Sequence, residues 1–267
     1  MAVELGDVQE TLLIPLLGRA LDAEAKQSIL GDQKAVELVD ALDYDFTRFR
    51  GPSLMGSVLR ASIFDQYVRD FLARHPDGTV VDLGCGLSTR FDRLDNGRVR
   101  WFDLDMPDTM ALRRTFFGDH DRYAMLDGSL FGEDWWDVVS GGEGPVFLLS
   151  EAVLLYFPDD EVRDVLRRWG ARFPGSPVAF DTGGSLMMRN QDRNAVFDSI
   201  RARMAWVCDD PSSLESLGLK LRESRDFGRA QASVARRWPL KYRLFASAFR
   251  WAPFVTTYKL NLFDIPE

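Results

Sequence analysis

Histidine and cysteine are the scarce residues of this chain, with two of each among 267. Cys85 and Cys208 lie far apart and share no Cys-x-x-Cys spacing, so neither a structural zinc site nor a disulfide framework organises the fold. Long apolar runs are missing as well. The first, Leu12 to Leu17, is short and contains Pro15, and the segment before it, MAVELGDVQE, is acidic; neither a signal peptide nor a membrane span is expected. Nor is there an excess of positive charge. The 33 Lys and Arg face 41 Asp and Glu, a net charge of −8 with a pI near 5.0, which argues against a general nucleic-acid partner. What is present is an ordinary globular composition, 46% hydrophobic and 28% charged, long enough to bury a large core and too apolar for disorder. The expectation is a cytoplasmic globular protein without membrane or nucleic-acid partners. Its oligomeric state is not legible.

The charge is unevenly spread. Residues 219–259 hold ten Lys and Arg against two Asp and Glu, on a body that is otherwise acidic. Such a segment either lines a site for an acidic ligand or forms the solvated face of helices.

The first quarter reads as helix. Leu12, Leu13, Leu16, Leu17 and Leu21 recur at helical spacing, as do Ala35, Leu38, Val39 and Leu42 after Gly31-Asp32; a third helix is expected from Ser53 to Ala73. The turn His75-Pro76-Asp77-Gly78 then breaks the pattern. Short apolar strands alternating with helices follow: residues 79–83, 99–104, 122–126, 145–149 and 177–180, with an amphipathic helix at 159–172 whose inner stripe is Val162, Val165, Leu166 and Trp169. From Arg189 come a helix, a turn at Asp210-Pro211-Ser212, a short strand near 219–221 and an apolar helix near 240–251. Residues 256–263 alternate and read as an edge strand. Alternation of strand and helix implies an α/β fold, a mostly parallel seven-stranded sheet with helices on both faces. We expect a single domain, 1–267, with residues 1–78 as a helical cap or lid and 79–267 as the core.

The strongest chemical signal is Val80-Val81-Asp82-Leu83-Gly84-Cys85-Gly86-Leu87-Ser88-Thr89. A glycine turn after the first parallel strand lets a ligand approach the backbone, and the following helix start offers free N–H groups. A dinucleotide fold asks for a third glycine where Thr89 stands. Asp82, two residues before Gly84, suits a ligand with a cationic amino group better than a pyrophosphate, which points to S-adenosylmethionine. The second strand ends in Asp103-Leu104-Asp105, placed to take ribose hydroxyls; the two acids share a face, and spacing does not choose between them. Ser129 and Leu130 follow the third strand, where an adenine edge needs a polar partner and an apolar neighbour. Ser150-Glu151 ends the fourth strand at the same carboxyl edge. Four ligand-ready positions at four successive strand ends define a Rossmann-like, class I methyltransferase pattern. Cys85 reads as a small packing residue, and Met187 and Met188 as core more readily than as the floor of a substrate pocket.

The segments TLLIPLLGRAL, DQKAVELVD, VVDLGCGLSTRFDRLDNGRVRWFDLDMPDTMALRR, LLSEAVLLYFPDDEV and FDT resemble the leucine carboxyl methyltransferase superfamily, in particular its branch of tetracenomycin-type polyketide O-methyltransferases. The resemblance implies an S-adenosylmethionine-dependent O-methyltransferase of natural-product biosynthesis. It implies that Asp105 takes the ribose, Gly84 meets the cofactor, Ser129 and Leu130 lie on the adenine side, Glu151 reaches the amino acid end, and Arg60 binds the methionine carboxylate. Arg19 matches a supporting basic residue of the first helix. Ser129 stands where the protein-methylating branch commonly carries Asp. Read from the residues alone, Tyr156 either faces the transferred methyl, as the candidate catalytic side chain, or packs on the loop after the fourth strand.

Methyl transfer from a sulfonium requires alignment and exclusion of water. A phenol acceptor also needs a base, usually His, whereas a carboxylate is already ionised at neutral pH. With neither histidine in a motif or at a strand's carboxyl end, the sequence favours a small aromatic acid methylated on its carboxylate. Asp181 or Glu151 could serve a phenol, the first alternative; a protein C-terminal leucine acceptor and an inert binding module are the others.

Overall fold

The computed structural model describes residues 9–142, 144–194 and 200–267. The N-terminal helices are α1 (Leu13–Ala23), α2 (Gln33–Ala41) and α3 (Ser53–Arg74). Then follow β1 (Thr79–Leu83), α4 (Arg90–Leu94), β2 (Arg100–Asp105), α5 (Pro107–Arg113), β3 (Tyr123–Asp127), α6 (Trp136–Ser140), β4 (Val146–Ser150), α7 (Asp159–Arg172), β5 (Pro177–Gly183) and α8 (Ser185–Arg189). The chain ends with β6 (Lys220–Arg225), α9 (Ala232–Ala235), α10 (Leu240–Ala248), α11 (Pro253–Thr256) and β7 (Tyr258–Asp264).

The seven strands form one sheet in the order β3-β2-β1-β4-β5-β7-β6. The first five are mutually parallel, and β7 runs antiparallel to both β5 and β6. The strand order reverses between β1 and β4, so their carboxyl ends open a crevice there. Strands β1 and β4 are buried along their whole length because helices cover both faces. On one face Val81, Leu83 and Leu148 pack with Val162, Val165, Leu166 and Trp169 of α7. On the other, Val80, Trp101 and Phe147 pack with Ile63, Phe64, Tyr67 and Phe71 of α3. A third cluster joins α1 and α2 through Leu13, Leu16, Leu38 and Phe49.

Two expectations need correction, and a third is met only in part by the described residues. Residues 256–263 do not form the edge: β7 lies between β5 and β6 and is buried on both faces. The edge is β6, whose Lys220, Arg222 and Ser224 are exposed on alternate positions, the charged decoration that keeps an open edge from pairing. The helix expected after Arg189 falls partly on residues 195–199, which lie outside the described residues; of the rest, Gln191–Arg193 form a 3-10 turn and 200–209 have no regular structure. Leu21, placed in the apolar stripe of α1, is 48% exposed. Among the described residues no helix is long and apolar enough to cross a membrane.

Candidate active site

A cavity of about 1560 Å³ lies over the carboxyl ends of β1, β2 and β4 and beneath the N-terminal helices. Its floor is the glycine turn. Gly84 and Gly86 take positive φ, +72° and +53°, and a Cβ on Gly84 would meet Val153 Cγ2 at 2.5 Å, so only glycine lets the chain turn that tightly beneath the ligand space. The turn is pinned from β2: the N–H groups of Gly84 and Cys85 donate to Leu104 O at 2.7 and 3.2 Å.

The two aspartates of β2 separate at this edge. Asp105 lines the cavity; its Oδ2 accepts from Gly86 N–H and its Oδ1 from Met106 N–H, both at 2.7 Å. Burial raises its pKa, partly offset by those two N–H groups. Asp103 is buried away from the cavity. It accepts from Trp101 Nε1 at 2.8 Å and the Tyr123 hydroxyl at 2.6 Å, and it pairs with Arg113. Arg113 in turn donates to Gly86 O at 3.0 Å, bracing the glycine turn from behind. Ser129 and Leu130 line the cavity beside Asp105, and the Ser129 hydroxyl accepts from Phe131 N–H at 3.2 Å.

At the other side of the turn is a buried lattice of arginines and carboxylates that the motifs only partly announced. Arg60 of α3 donates from Nε to Glu151 at 2.6 Å and from Nη1 to the Tyr258 hydroxyl at 3.3 Å. Arg90, at the start of α4, is the hub. It donates to Asp65 at 2.9 Å and to Asp82 at 2.7 Å, and it pairs with Glu151. Burial opposes each of these charges, but mutual attraction wins at Glu151, whose pKa is lowered by Arg60 and Arg90, and at Arg90, whose pKa is raised by three carboxylates. Asp82 is the exception: burial pushes it up, to about 6, despite Arg90. Asp65 is shared with Arg93, which also reaches Asp32 at 3.3 Å; Asp32 pairs with Arg19 at 2.9 Å. Arg19 therefore lines the cavity from α1 and donates to Leu87 O at 2.7 Å, joining the helices to the glycine turn. Each predicted position, Arg60, Asp82, Gly84, Asp105, Ser129, Leu130, Glu151 and Tyr156, borders this one cavity.

Arg90, Asp65, Arg93 and Tyr258 were not anticipated. The only sequence signal for Arg90 is its place just after the glycine turn, at the helix start that faces the ligand space.

The far end of the cavity is mostly apolar and aromatic. Leu155 and Tyr156 follow β4, Met187 comes from α8, and Phe245 and Phe254 come from α10 and α11. Met187 is thus a cavity wall rather than core. Tyr156 meets the Thr11 hydroxyl, so the segment before α1 closes over it; burial raises the Tyr156 pKa, which keeps the phenol protonated. Phe245, Phe249 and Phe254 form one ring cluster, with centroids 4.8–6.3 Å apart, and each is more than 40% exposed; Phe245 and Phe254 line the cavity. His75 and His120 are not in the lining. Cys85 is buried with its pKa raised by burial, as expected of a packing thiol.

A glycine turn at the switch point of a doubly wound sheet, with an acid on the next strand and a glutamate two strands over, defines a nucleotide-binding site of the class I methyltransferase type. The sequence profile of the leucine carboxyl methyltransferase family matches residues 13–170. The tetracenomycin polyketide synthesis O-methyltransferase TcmP of Streptomyces glaucescens is 34% identical over 226 residues, 83% of each chain. The S-adenosyl-L-methionine-dependent methyltransferase dpfgK of Gibberella zeae is 33% identical over 247 residues, again 83% of each chain. The fold is shared with N-methyltransferase NodS of Bradyrhizobium japonicum, a structure holding S-adenosyl-L-homocysteine, at a TM-score of 0.50 and 11% identity over 98% of this chain and 100% of that one. The chain belongs to the leucine carboxyl methyltransferase family and is an S-adenosylmethionine-dependent O-methyltransferase.

Proposed function

We propose that this enzyme methylates the carboxylate of a small aromatic polyketide-type acid, giving a methyl ester. The observation that carries the reading is that, among the described residues, the cavity has no free base: no histidine lines it, and each of its lining acids, Asp82, Asp105 and Glu151, is held by an arginine or by backbone N–H groups. An ionised carboxylate needs no base, whereas a phenol does. The apolar, aromatic far wall suits a ring system, and the likeness to TcmP, named for polyketide synthesis, supports that acceptor class.

The residues fit the cofactor. Asp105 is placed for the ribose diol, Ser129 and Leu130 for the adenine, Gly84 for close approach of the backbone, Arg60 for the methionine carboxylate, and Asp82 and Glu151 for its ammonium. Bound there, S-adenosylmethionine supplies an electrophilic methyl group on a sulfonium. The protein contributes alignment and dryness. Tyr156, protonated and held by Thr11, walls the acceptor side of the transfer and can donate to an acceptor oxygen. The N-terminal helices close the same cavity from above, so we assign cap and sheet to one methyltransferase domain, with Arg19 and Arg60 as the ties between them.

The test is a labelled-methyl transfer screen over aromatic acids, phenols and peptides. The expected product is a base-labile ester, with a rate nearly flat between about pH 6 and 8.5, because a carboxylic acid ionises near pH 4. A base-stable ether whose rate climbs with pH would replace the carboxylate by a phenol.

Cofactor affinity carries its own pH signature. With Asp82 raised to about 6, the carboxyl is mostly neutral at pH 5 and charged at pH 7. A cationic ammonium binds the charged form better, so affinity for S-adenosylhomocysteine is expected to rise severalfold from pH 5 to 7 and then level off. Asp82→Asn should flatten that profile. A wild-type profile flat from pH 5 to 7 would remove Asp82 from the ammonium site.

A further inference from the structure

Arg60 does not stand in its place unaided. Its Nε and Nη1 are committed to Glu151 and to the Tyr258 hydroxyl, and both of those partners are secured by a single residue, Asp181 of β5. Asp181 is fully buried and does not line the cavity. Its carboxylate accepts from the Tyr258 hydroxyl and, through both oxygens, from Ala152 N–H at 2.9 and 3.0 Å. Ala152 immediately follows Glu151 and holds φ at +59°; it is the one non-glycine among the described residues in that region. An alanine adopts this conformation only where its surroundings impose it. Here the imposing contact is the pair of hydrogen bonds to Asp181, which fixes the backbone beside Glu151. Tyr258 opens β7, paired to β5 through Gly183, and its ring rests on Phe227 with centroids 5.9 Å apart. The ring is therefore held by packing even without its hydroxyl.

We propose that Tyr258 and Asp181 are positioning residues for Arg60. Asp181 sets the two acceptors between which the guanidinium is stretched, and so aims its remaining N–H groups at the cofactor's carboxylate. This rests on the reading of Arg60 as the carboxylate clamp. A planar guanidinium with two of its nitrogens fixed has one rotational setting left, which is what bidentate recognition of a carboxylate requires. The same arrangement removes Asp181 as a base for a phenol, since both its oxygens are occupied and it does not line the cavity.

The test is calorimetry with two ligands on the full chain. S-adenosylhomocysteine carries the amino acid end; 5′-methylthioadenosine keeps the nucleoside and thioether but lacks both the carboxylate and the ammonium. Tyr258→Phe is expected to weaken S-adenosylhomocysteine about tenfold, the scale of one charge-assisted hydrogen bond, and to leave 5′-methylthioadenosine within twofold. In turnover, KM for S-adenosylmethionine should rise with kcat little changed. Asp181→Asn, which keeps the shape but offers one acceptor oxygen in place of two, should give the same selective loss. In an Arg60→Ala background, Tyr258→Phe should have no further effect. Equal weakening of both ligands would make Tyr258 merely structural, and unchanged affinity for both would leave it without a role; either overturns the proposal. If Arg60→Ala itself leaves the preference for S-adenosylhomocysteine intact, the clamp reading falls and the proposal with it.

Discussion

Arg90→Ala is expected to lower the unfolding free energy by about 3–5 kcal/mol, the usual cost of removing one partner from a buried ion pair. The side chain is 4% exposed and serves three carboxylates, Asp65, Asp82 and Glu151. Two of them keep an arginine after the substitution: Asp65 retains Arg93, and Glu151 retains Arg60. Among the described residues Asp82 keeps only the Ser88 hydroxyl at 3.3 Å as a side-chain partner, so it bears most of the loss. The deficit should depend on pH in a defined sense. Asp82 already has a folded-state pKa near 6, above its ordinary 3.8, and removing Arg90 raises it further. A carboxyl raised in the folded state costs nothing while protonated in both states; its penalty grows with pH between the unfolded and the folded value and is constant above the folded one. The variant, with the higher folded value, goes on losing stability above about pH 6, where the wild type has levelled off. Urea denaturation of the variant should therefore show a larger deficit at pH 8 than at pH 5.5. Arg90→Lys should recover little, because an ammonium lacks the fork that spans three acceptors. A deficit below about 1 kcal/mol, or one that shrinks with pH, would contradict the buried lattice.

That lattice is also where the sequence was least legible. The parallel strands were readable because burial on both faces makes them apolar runs: Val146–Ser150 was found to within one residue, and the inner stripe of α7 holds Val162, Val165, Leu166 and Trp169 as read. The glycine turn and the strand-end acids were readable because a ligand at a switch point needs those residue types at those ends. Nothing local distinguishes Asp65 in the middle of a helix, or Arg93 one turn into another, from surface charges. Their partners lie 25 to 61 residues away and meet only once α3 packs on the sheet. The misreading of β7 has a similar cause. Its alternation mimics a half-exposed strand, but the polar Asn261 is buried and satisfied by Phe180 O and the Thr182 hydroxyl across the sheet. A cross-strand partner makes a polar residue compatible with the core, and a single strand's pattern does not reveal that partner.

The same distinction between a charge that serves the fold and one that serves the ligand separates Asp103 from Asp105. Asp105→Ala is expected to weaken S-adenosylhomocysteine by about 1.5–3 kcal/mol, the scale of hydrogen bonds to a charged group, with a smaller loss of stability from the two backbone N–H groups it releases to a water-accessible cavity. Asp103→Ala should do the reverse. It strands Arg113, which is 1% exposed, without its carboxylate, and deprives Trp101 and Tyr123 of their acceptor. A loss of about 3–5 kcal/mol in folding free energy is expected. Because Arg113 also holds Gly86 O, Asp103→Ala will weaken the cofactor site to the extent that the glycine turn loosens, but only together with the loss of stability. Asp103→Asn separates the two effects, since an amide keeps an acceptor for the indole or the guanidinium and should retain near-normal affinity. Calorimetry and urea denaturation on the same three variants decide the matter. Strong loss of affinity in Asp103→Asn at unchanged stability, with Asp105→Ala neutral, would transfer the ribose contact to Asp103.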